Sequence, residues 1–207
     1  NVAYANQLAL LCEQYGADVT KVIELANSHP RVNIHLPGPG VGGPCLTKDP
    51  YLLVDAVRFQ GGNLVEVAGE INNFMPHHVA ELVLKGLKCA KKPVKGSKVT
   101  VLGTAYKGDV GDSRFSPSEP IIKELAKLGL NVTVFDPFCE ASFGAARAKS
   151  LNAAVASADC LIVATDHALF KTLNLGELKK IMNENPVLID ARRLFDVAKV
   201  EGLGFQY

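Results

Sequence analysis

Several features that often direct the interpretation of a sequence are absent or scarce in this chain. It has no tryptophan, two methionines and no excess of either charge, since 22 lysines and arginines stand against 21 acidic residues. That balance excludes the basic surface typical of nucleic-acid-binding proteins and also an acidic tail. The apolar runs are short and interrupted by charges, so the sequence predicts no membrane-spanning segment.

Paired cysteines are absent as well. The five cysteines are widely spaced and odd in number, and they form no Cys-x-x-Cys motif. A disulfide framework or zinc site is therefore not expected, and we predict no metal and a cytoplasmic location, where thiols stay reduced. The chain begins with asparagine inside a helical pattern, without a signal peptide, which we interpret as a piece of a longer chain.

The most unusual stretch that is present is the segment 37–50, PGPGVGGPCLTKDP, with four glycines and four prolines. This composition predicts a stiff loop whose backbone amides can approach a ligand closely. Asp49 and Pro50 predict the start of a helix, and Lys48 precedes them. A thiol near a helix N-terminus and an ammonium group should ionise readily, so we interpret Cys45 as a nucleophile. A buried cysteine in a glycine-rich turn is the alternative.

Helical periodicity dominates the first half of the chain. We predict helices over residues 2–15, 19–27, 50–59 and 63–91. Pro76 should bend or split the last of these, and His77 and His78 are expected at the surface. We assign residues 1–94 to a helical domain, whose long helix suits an interface between two subunits. Arg31, ahead of the glycine loop, either pairs with a phosphate or is solvated.

In the second half, apolar β-branched runs alternate with helical patterns. We predict strands over residues 98–103, 131–136, 159–166 and 187–191, and the final GFQY is a candidate fifth strand. The intervening helices are predicted over residues 119–128, 151–158 and 175–182. This alternation predicts a parallel, doubly wound, Rossmann-like α/β domain over residues 95–207.

Ligands of such sheets bind at the carboxyl ends of the strands. The loop after the first predicted strand, residues 103–114, offers glycine amides, Lys107 and Arg114 for phosphates. It lacks GxGxxG, so it is not a standard dinucleotide-binding loop. Asp136 ends the second strand, where it either holds a ribose hydroxyl or caps the backbone.

Two further strand ends carry polar side chains. Thr165, Asp166 and His167 end the third strand. Arg192 and Arg193 follow the fourth strand, where they either bind an anion or form a solvated surface pair.

Three motifs, GPGVGGPCLTKD, VLGTAYKGDVGDSR and LIDARR, occur in this order, and together they resemble the UDP-glucose/GDP-mannose dehydrogenase family of nucleotide-sugar 6-dehydrogenases. The resemblance covers the whole chain and corresponds to the family's helical central domain and its C-terminal nucleotide-sugar domain. The family's N-terminal Rossmann domain, which holds NAD, is not in this chain. The segment ANSHPRVNIHLPGPGVGG is most similar to the branch that oxidises UDP-N-acetylhexosamines, which implies UDP-N-acetylmannosamine as substrate.

The resemblance implies two successive NAD-linked oxidations that turn the C6 alcohol of the sugar into a carboxylate. The aldehyde would be trapped on Cys45 as a thiohemiacetal, and the resulting thioester would be hydrolysed. Asp49 matches the residue that positions or activates the hydrolytic water. Gly42 and Gly43 would hold the sugar through their amides.

Four basic residues complete the site that the resemblance implies. Arg31 matches an arginine that reaches the substrate of the neighbouring subunit in a homodimer. Lys107 and Arg192 match contacts to the nucleotide sugar, and Arg114 matches a contact to NAD.

The sequence also departs from the family pattern. Pro44 stands where many relatives of this branch have histidine, and the family's catalytic lysine and a nearby asparagine precede the point where this chain begins. The piece alone is therefore expected to be inactive. A UDP-glucose 6-dehydrogenase and a non-catalytic nucleotide-sugar-binding or dimerising module are the alternatives. An unrelated methyltransferase or short-chain reductase is disfavoured, because GxGxxG and a helical Tyr-x-x-x-Lys are missing.

Overall fold

The computed structural model describes residues 1–54 and 63–207, and every structural statement below refers to that part of the chain. The elements in chain order are α1 (Val2–Tyr15), α2 (Val19–Asn27), α3 (Asp49–Val54), α4 (Leu64–Cys89), β1 (Lys98–Leu102), α5 (Ser118–Lys127), β2 (Asn131–Phe135), β3 (Ala146–Arg147), α6 (Leu151–Val155), β4 (Cys160–Val163), α7 (Ala168–Lys171), α8 (Leu175–Ile181), β5 (Val187–Asp190) and α9 (Val197–Gly202). The predicted change from helices to alternating strands and helices is confirmed. The end of the helix predicted over residues 50–59 lies outside the described residues.

The first two helices form a small layer of their own. Helix α1 ends at Gly16, whose left-handed φ of +64° suits glycine, and α2 begins at Asp18, whose side chain accepts a hydrogen bond from the Thr20 N–H. Their facing side chains form a separate apolar cluster of Ala5, Ala9, Cys12, Val19 and Ile23. Both helices were predicted with these bounds, and Cys12 was predicted to be buried.

Helix α4 runs through Pro76 without a break, so the predicted split is wrong, and the alternative of a bend stays a prediction. Proline has no N–H to donate to the carbonyl four residues earlier, that of Asn72. A Cβ on Gly40 would lie 3.2 Å from this carbonyl oxygen, so the glycine loop packs closely over it. The glycine loop therefore covers the Asn72 carbonyl that Pro76 leaves without an intrahelical donor.

The buried face of α4 differs from the predicted one. Its buried side chains are Met75, Pro76, Val79, Ala80, Val83 and Leu87. Val67 and Phe74, which helical periodicity predicts on the same apolar face, are 47% and 40% exposed. The expectation of a surface position is also wrong for His78, whose ring is largely buried and lies 3.0 Å from the Glu13 carboxylate on α1.

All five strands are parallel, in the order β3-β2-β1-β4-β5. Helices α4 and α5 cover one face, and α6, α8 and α9 cover the other, which confirms the doubly wound α/β architecture. The candidate fifth strand at GFQY is wrong, because only Gln206 forms a bridge, to Val187. The fifth strand is instead the two-residue β3, whose Ala146 and Arg147 are exposed and carry no periodic pattern.

The C-terminal half of α4 belongs to the core of the sheet. Val83 and Leu87 pack in the same cluster as strand residues, and a Cβ on Gly86 would lie 2.5 Å from a methyl group of Val187. The helix therefore joins the two halves of the chain, and the division at residue 94 stays a prediction. None of the helices in the described ranges is long and apolar enough to cross a membrane.

Candidate active site

Strands β1 and β4 are the neighbours between which the strand order reverses, the place where ligands of doubly wound sheets bind. Here the two strand ends contact each other directly. A Cβ on Gly103 would lie 2.3 Å from the Thr165 side chain, and the Thr165 hydroxyl donates to the carbonyl of Ala105 at 2.7 Å. Thr165 thus joins the turn after β4 to the loop after β1.

Asp136, at the end of β2, is buried and accepts six hydrogen bonds. Its donors are Thr104 N–H, Ala105 N–H, Phe138 N–H, Cys139 N–H and His167 Nε2, at 2.7 to 3.1 Å, and the Thr104 hydroxyl at 3.5 Å. Burial alone would raise the pKa of Asp136, but the bonds from His167 and the backbone amides outweigh it and hold that pKa well below its usual range. Both oxygens are engaged inside the protein, so the contacts support capping rather than ribose binding.

Asp190, at the end of β5, organises the turn that carries the two arginines. Its carboxylate accepts from the N–H groups of Leu194 at 2.6 Å, Phe195 at 2.9 Å and Arg192 at 3.1 Å. The Tyr207 hydroxyl also lies 3.4 Å from it. Burial raises the pKa of Asp190 despite these bonds. The turn therefore has one fixed backbone conformation.

The two arginines point to different neighbours. Arg192 donates through Nε to the carbonyl of Ala164 at 2.9 Å, and burial lowers its pKa. A Cβ on Gly38 would lie 3.4 Å from the Arg192 Nη1, so the glycine loop passes over this guanidinium. Arg193 is exposed; it donates to the Thr20 hydroxyl at 2.7 Å and lies 3.8 Å from the Asp18 carboxylate, and the choice between anion binding and a solvated pair stays a prediction for it.

Asparagines anchor the glycine loop, a role that the sequence interpretation missed. The Asn72 side chain accepts from the N–H of Val41 at 2.7 Å and donates to its carbonyl at 3.1 Å. Asn6, fully buried on α1, accepts from the N–H of Gly38 at 2.8 Å. An asparagine on the apolar face of a helix was the available signal, because a buried amide requires a partner.

The glycine loop lies directly on the loop after β1. A Cβ on Gly42 would lie 2.4 Å from the carbonyl oxygen of Phe115, and one on Gly43 would lie 2.9 Å from the ring of Tyr106. The N–H of Gly43 donates to the carbonyl of Arg114 at 2.9 Å. These glycines thus allow two loops to approach closely, and their predicted contact with the sugar stays a prediction.

Cys45 is exposed, so the alternative of a buried structural cysteine is wrong for this residue. Its carbonyl accepts from the N–H groups of Lys48 at 3.2 Å and Asp49 at 2.9 Å, which closes a turn directly before α3. Lys48 Nζ lies 3.7 Å from the Asp49 carboxylate, and both side chains are more than half exposed. The thiol therefore stands at the surface beside a charged pair.

The other basic residues of the predicted site are also exposed. The Arg114 guanidinium forms three hydrogen bonds of 2.7 to 3.1 Å with the Asp112 carboxylate. These bonds lower the pKa of Asp112 and raise that of Arg114. Lys107 and Arg31 are exposed as well. The structure brings the loops of Cys45, Arg114 and Arg192 together, and the roles of all these residues stay predictions.

The chain has a helical region followed by a Rossmann-like sheet, and an exposed thiol lies on a glycine loop that contacts both. Two domain models of one protein family match these two regions. The central domain of the UDP-glucose/GDP-mannose dehydrogenase family matches residues 1–74, and the UDP binding domain of the same family matches residues 100–197. The chain belongs to the UDP-glucose/GDP-mannose dehydrogenase family.

Individual members of the family show how far the similarity extends. The chain is 40% identical to UDP-N-acetyl-D-mannosamine dehydrogenase of Pyrococcus horikoshii, over 94% of this chain and 45% of that protein. It is 36% identical to UDP-N-acetyl-D-mannosamine dehydrogenase of Methanococcus maripaludis, over 99% of this chain and 47% of that protein. The solved structure of NDP-N-acetyl-D-galactosaminuronic acid dehydrogenase from Methanosarcina mazei has a TM-score of 0.91 at 34% identity, over 99% of this chain and 46% of that chain. The chain spans about half the length of the curated relatives it matches.

Proposed function

We propose that this chain is the substrate-binding, thiol-bearing part of an NAD-dependent nucleotide-sugar 6-dehydrogenase that acts on a UDP-N-acetylhexosamine, with UDP-N-acetylmannosamine as substrate. The proposal rests mainly on one observation. Exposed Cys45 lies on the glycine loop, whose Gly42 and Gly43 contact the loop after β1 that bears Lys107 and Arg114. A nucleophile and phosphate-binding cations thereby share one surface. The names of the relatives support the choice of substrate.

The exposed thiol suits covalent catalysis. In its thiolate form, Cys45 would add to the C6 aldehyde and give a thiohemiacetal, whose oxidation leaves a thioester. Water then hydrolyses the thioester, which releases the carboxylate and restores the thiol. Asp49, four residues from the thiol and at the start of α3, would orient that water.

Cations around the cleft suit a diphosphate. Lys107 and Arg192 lie on the loops after β1 and β5, and each would contact the nucleotide sugar. Arg31 would reach the substrate bound to the neighbouring subunit.

The cofactor would be held mainly outside this chain. When bound, NAD would supply the hydride acceptor for the two oxidations. Because the loop after β1 lacks GxGxxG, we assign NAD binding to a separate domain, with exposed Arg114 contributing from this side.

Exposed apolar side chains support a homodimer through the long helix. Helix α1 exposes Tyr4, Leu11 and Tyr15, and α4 exposes Leu64, Val67 and Phe74. These side chains recur at helical spacing on each element. Surfaces of this kind mark protein contacts.

The decisive experiment replaces the nucleophile. In the intact protein with NAD and UDP-N-acetylmannosamine, Cys45→Ser should abolish formation of the uronate, because serine cannot supply a thiolate. Cys89→Ser is the matched control, since Cys89 is also an exposed, free cysteine and should tolerate the change. Unchanged uronate formation by Cys45→Ser would refute the covalent mechanism.

A non-catalytic binding module is the second candidate. Thiol reactivity separates the two, because only a nucleophile needs an activated cysteine. Alkylation at neutral pH should modify Cys45 faster than Cys89, and equal rates favour the binding module.

A nucleotide-linked N-acetylgalactosamine is the second candidate substrate. It is favoured by the name of the solved structure from Methanosarcina mazei, NDP-N-acetyl-D-galactosaminuronic acid dehydrogenase. Competition among UDP-N-acetylmannosamine, UDP-N-acetylgalactosamine and UDP-glucose decides between them. A preference for UDP-glucose would move the chain to the alternative branch. We also propose a reducing, cytoplasmic location, where the five free cysteines would remain reduced.

A further inference from the structure

The turn after β4, residues 164–168, is joined to the loop after β1 by a continuous set of contacts. Beside the bond from Thr165 to Ala105, the N–H of Asp109 donates to His167 Nδ1 at 2.8 Å. The N–H of Ala168 donates to the Asp109 carboxylate at 2.9 Å. The sequence placed His167 at a strand end, where a ligand contact was expected, but its side chain is fully buried. The His167 side chain therefore contacts other protein groups rather than solvent.

The two ring nitrogens of His167 have different roles. A backbone N–H donates to Nδ1, so Nδ1 is an acceptor and Nε2 is the nitrogen that can donate. Nε2 donates to Asp136 at 3.1 Å. The rings of Phe138 and Phe170 pack against the imidazole, with centroids 5.0 and 5.1 Å away. The ring is thus held by Asp136 on one side and holds the loop after β1 on the other.

Lys107 lies on the part of the loop that these contacts hold. A Cβ on Gly108 would lie 2.7 Å from the carbonyl oxygen of Asp166, so the backbone after Lys107 is in close contact with the turn. Asp109 has a φ of +59°, a conformation that costs energy for a residue other than glycine. The bond to His167 compensates for this cost at the same residue. The backbone of Lys107 is fixed while its side chain is exposed.

We propose that His167 is a positioning residue for Lys107: its Nδ1, through the Asp109 amide, holds the loop so that the ammonium group meets the diphosphate of the nucleotide sugar. The proposal rests on the proposed function in taking Lys107 as a diphosphate contact. His167 itself does not touch the ligand. A loop ordered before binding loses less conformational entropy when the ligand arrives, which increases affinity.

Two substitutions test the roles of His167 Nδ1 and Nε2 separately. In His167→Asn the amide oxygen can occupy the place of Nδ1 and accept from Asp109, while the bond to Asp136 is lost. In His167→Gln the amide nitrogen can occupy the place of Nε2 and donate to Asp136, while Asp109 loses its acceptor. Both variants remove the ring, so each controls for the loss of packing in the other.

The affinity of the intact protein for UDP is measured by calorimetry in both variants and in Lys107→Ala. His167→Gln should bind UDP about tenfold more weakly than His167→Asn, the effect expected for one lost hydrogen bond. When Lys107→Ala is combined with each His167 variant, the difference in UDP affinity should vanish, because the loop no longer carries the cation. An effect on folding alone would persist there. Equal affinities of the two variants, or a tenfold difference that persists without Lys107, would overturn the proposal.

Amide hydrogen exchange distinguishes a failure of this proposal from a failure of the proposed function. The Asp109 amide should exchange at least about ten times faster in His167→Gln than in His167→Asn. If the protein does not bind UDP at all, the proposed function fails, and so does the assignment of Lys107. Equal exchange in the two variants overturns the role of His167 even where UDP binds.

Discussion

The strand-end loops and the cysteine loop, two regions that meet at the candidate site, are stabilised in different ways. At the strand ends, buried Asp136 accepts six hydrogen bonds and Asp190 caps a turn. In the cysteine loop, Cys45, Lys48 and Asp49 are exposed, and the turn is closed by backbone bonds between near neighbours. The bonds that Asp136 accepts from Thr104, Ala105 and His167 join residues more than thirty positions apart, whereas the bonds that close the turn at residues 45–49 are local.

This difference suits two tasks. A site for a diphosphate gains affinity from cations that are fixed before the ligand arrives. A nucleophile must be accessible to the sugar and to water at successive steps, which an exposed turn permits. Five predictions test this difference, in order of the expected size of the effect.

Asp136→Asn should have the largest effect. The new amide group directs hydrogens at backbone N–H groups that now donate to the carboxylate, and His167 loses its charged partner. We expect a loss of about 3–5 kcal/mol in the free energy of unfolding, measured with urea. Glu140→Gln, an exposed carboxylate, is the control and should change it by less than about 0.5 kcal/mol. A loss of similar size in both variants would contradict the comparison.

The pH dependence of the same residue follows from linkage. The pKa of Asp136 in the folded protein is lower than its value of about 3.9 in the unfolded chain. Its contribution to stability is therefore present above about pH 4 and is lost as the pH falls through the folded pKa. Urea titrations should show a smaller acid-dependent loss in Asp136→Asn than in the wild type.

Gly42→Ala should have the next largest effect, because its Cβ would lie 2.4 Å from a backbone oxygen of Phe115. The two loops would have to separate, at a cost of about 1–3 kcal/mol in the free energy of unfolding. Gly202→Ala is the matched control, since a Cβ there meets no atom within 4 Å. The control should be neutral or slightly stabilising. Equal stability of the two variants would show that the loops are not in close contact.

The contact between His78 and Glu13 extends the comparison to the helical region. The hydrogen bond to Glu13 is the main reason why the pKa of His78 is raised. Its contribution is therefore complete below the unfolded pKa of about 6.5 and is lost as the pH rises through the folded pKa. Between pH 6 and 8 the wild type should lose at most about 1 kcal/mol more stability than Glu13→Gln, because water screens the partly exposed pair. An identical pH profile for the variant would disprove the coupling.

Lys48→Ala should have the smallest effect. Its ion pair with Asp49 spans 3.7 Å at the surface, so the free energy of unfolding should change by less than about 0.5 kcal/mol. A loss above about 1 kcal/mol in urea unfolding would show that side chains do stabilise the cysteine loop.

Particular elements show what could be predicted. The strands β1, β2, β4 and β5 were predictable because each is a short run rich in apolar and β-branched side chains. The two-residue β3 was not, because its pairing depends on its neighbour β2 rather than on its own residues. Cys45 could be recognised from its local composition, whereas the roles of Asn72 and His167 depend on partners at least thirty residues away in sequence.

The amino-acid sequence alone determined the periodicity, the order of helices and strands, the glycine loop with its thiol and the family resemblance. These depend on side-chain polarity and backbone preference over short distances. Tertiary structure decided which polar groups are satisfied inside the protein. Asp136 and His167 hold loops rather than ligands, because a buried polar group requires partners that only the folded chain brings within hydrogen-bonding distance.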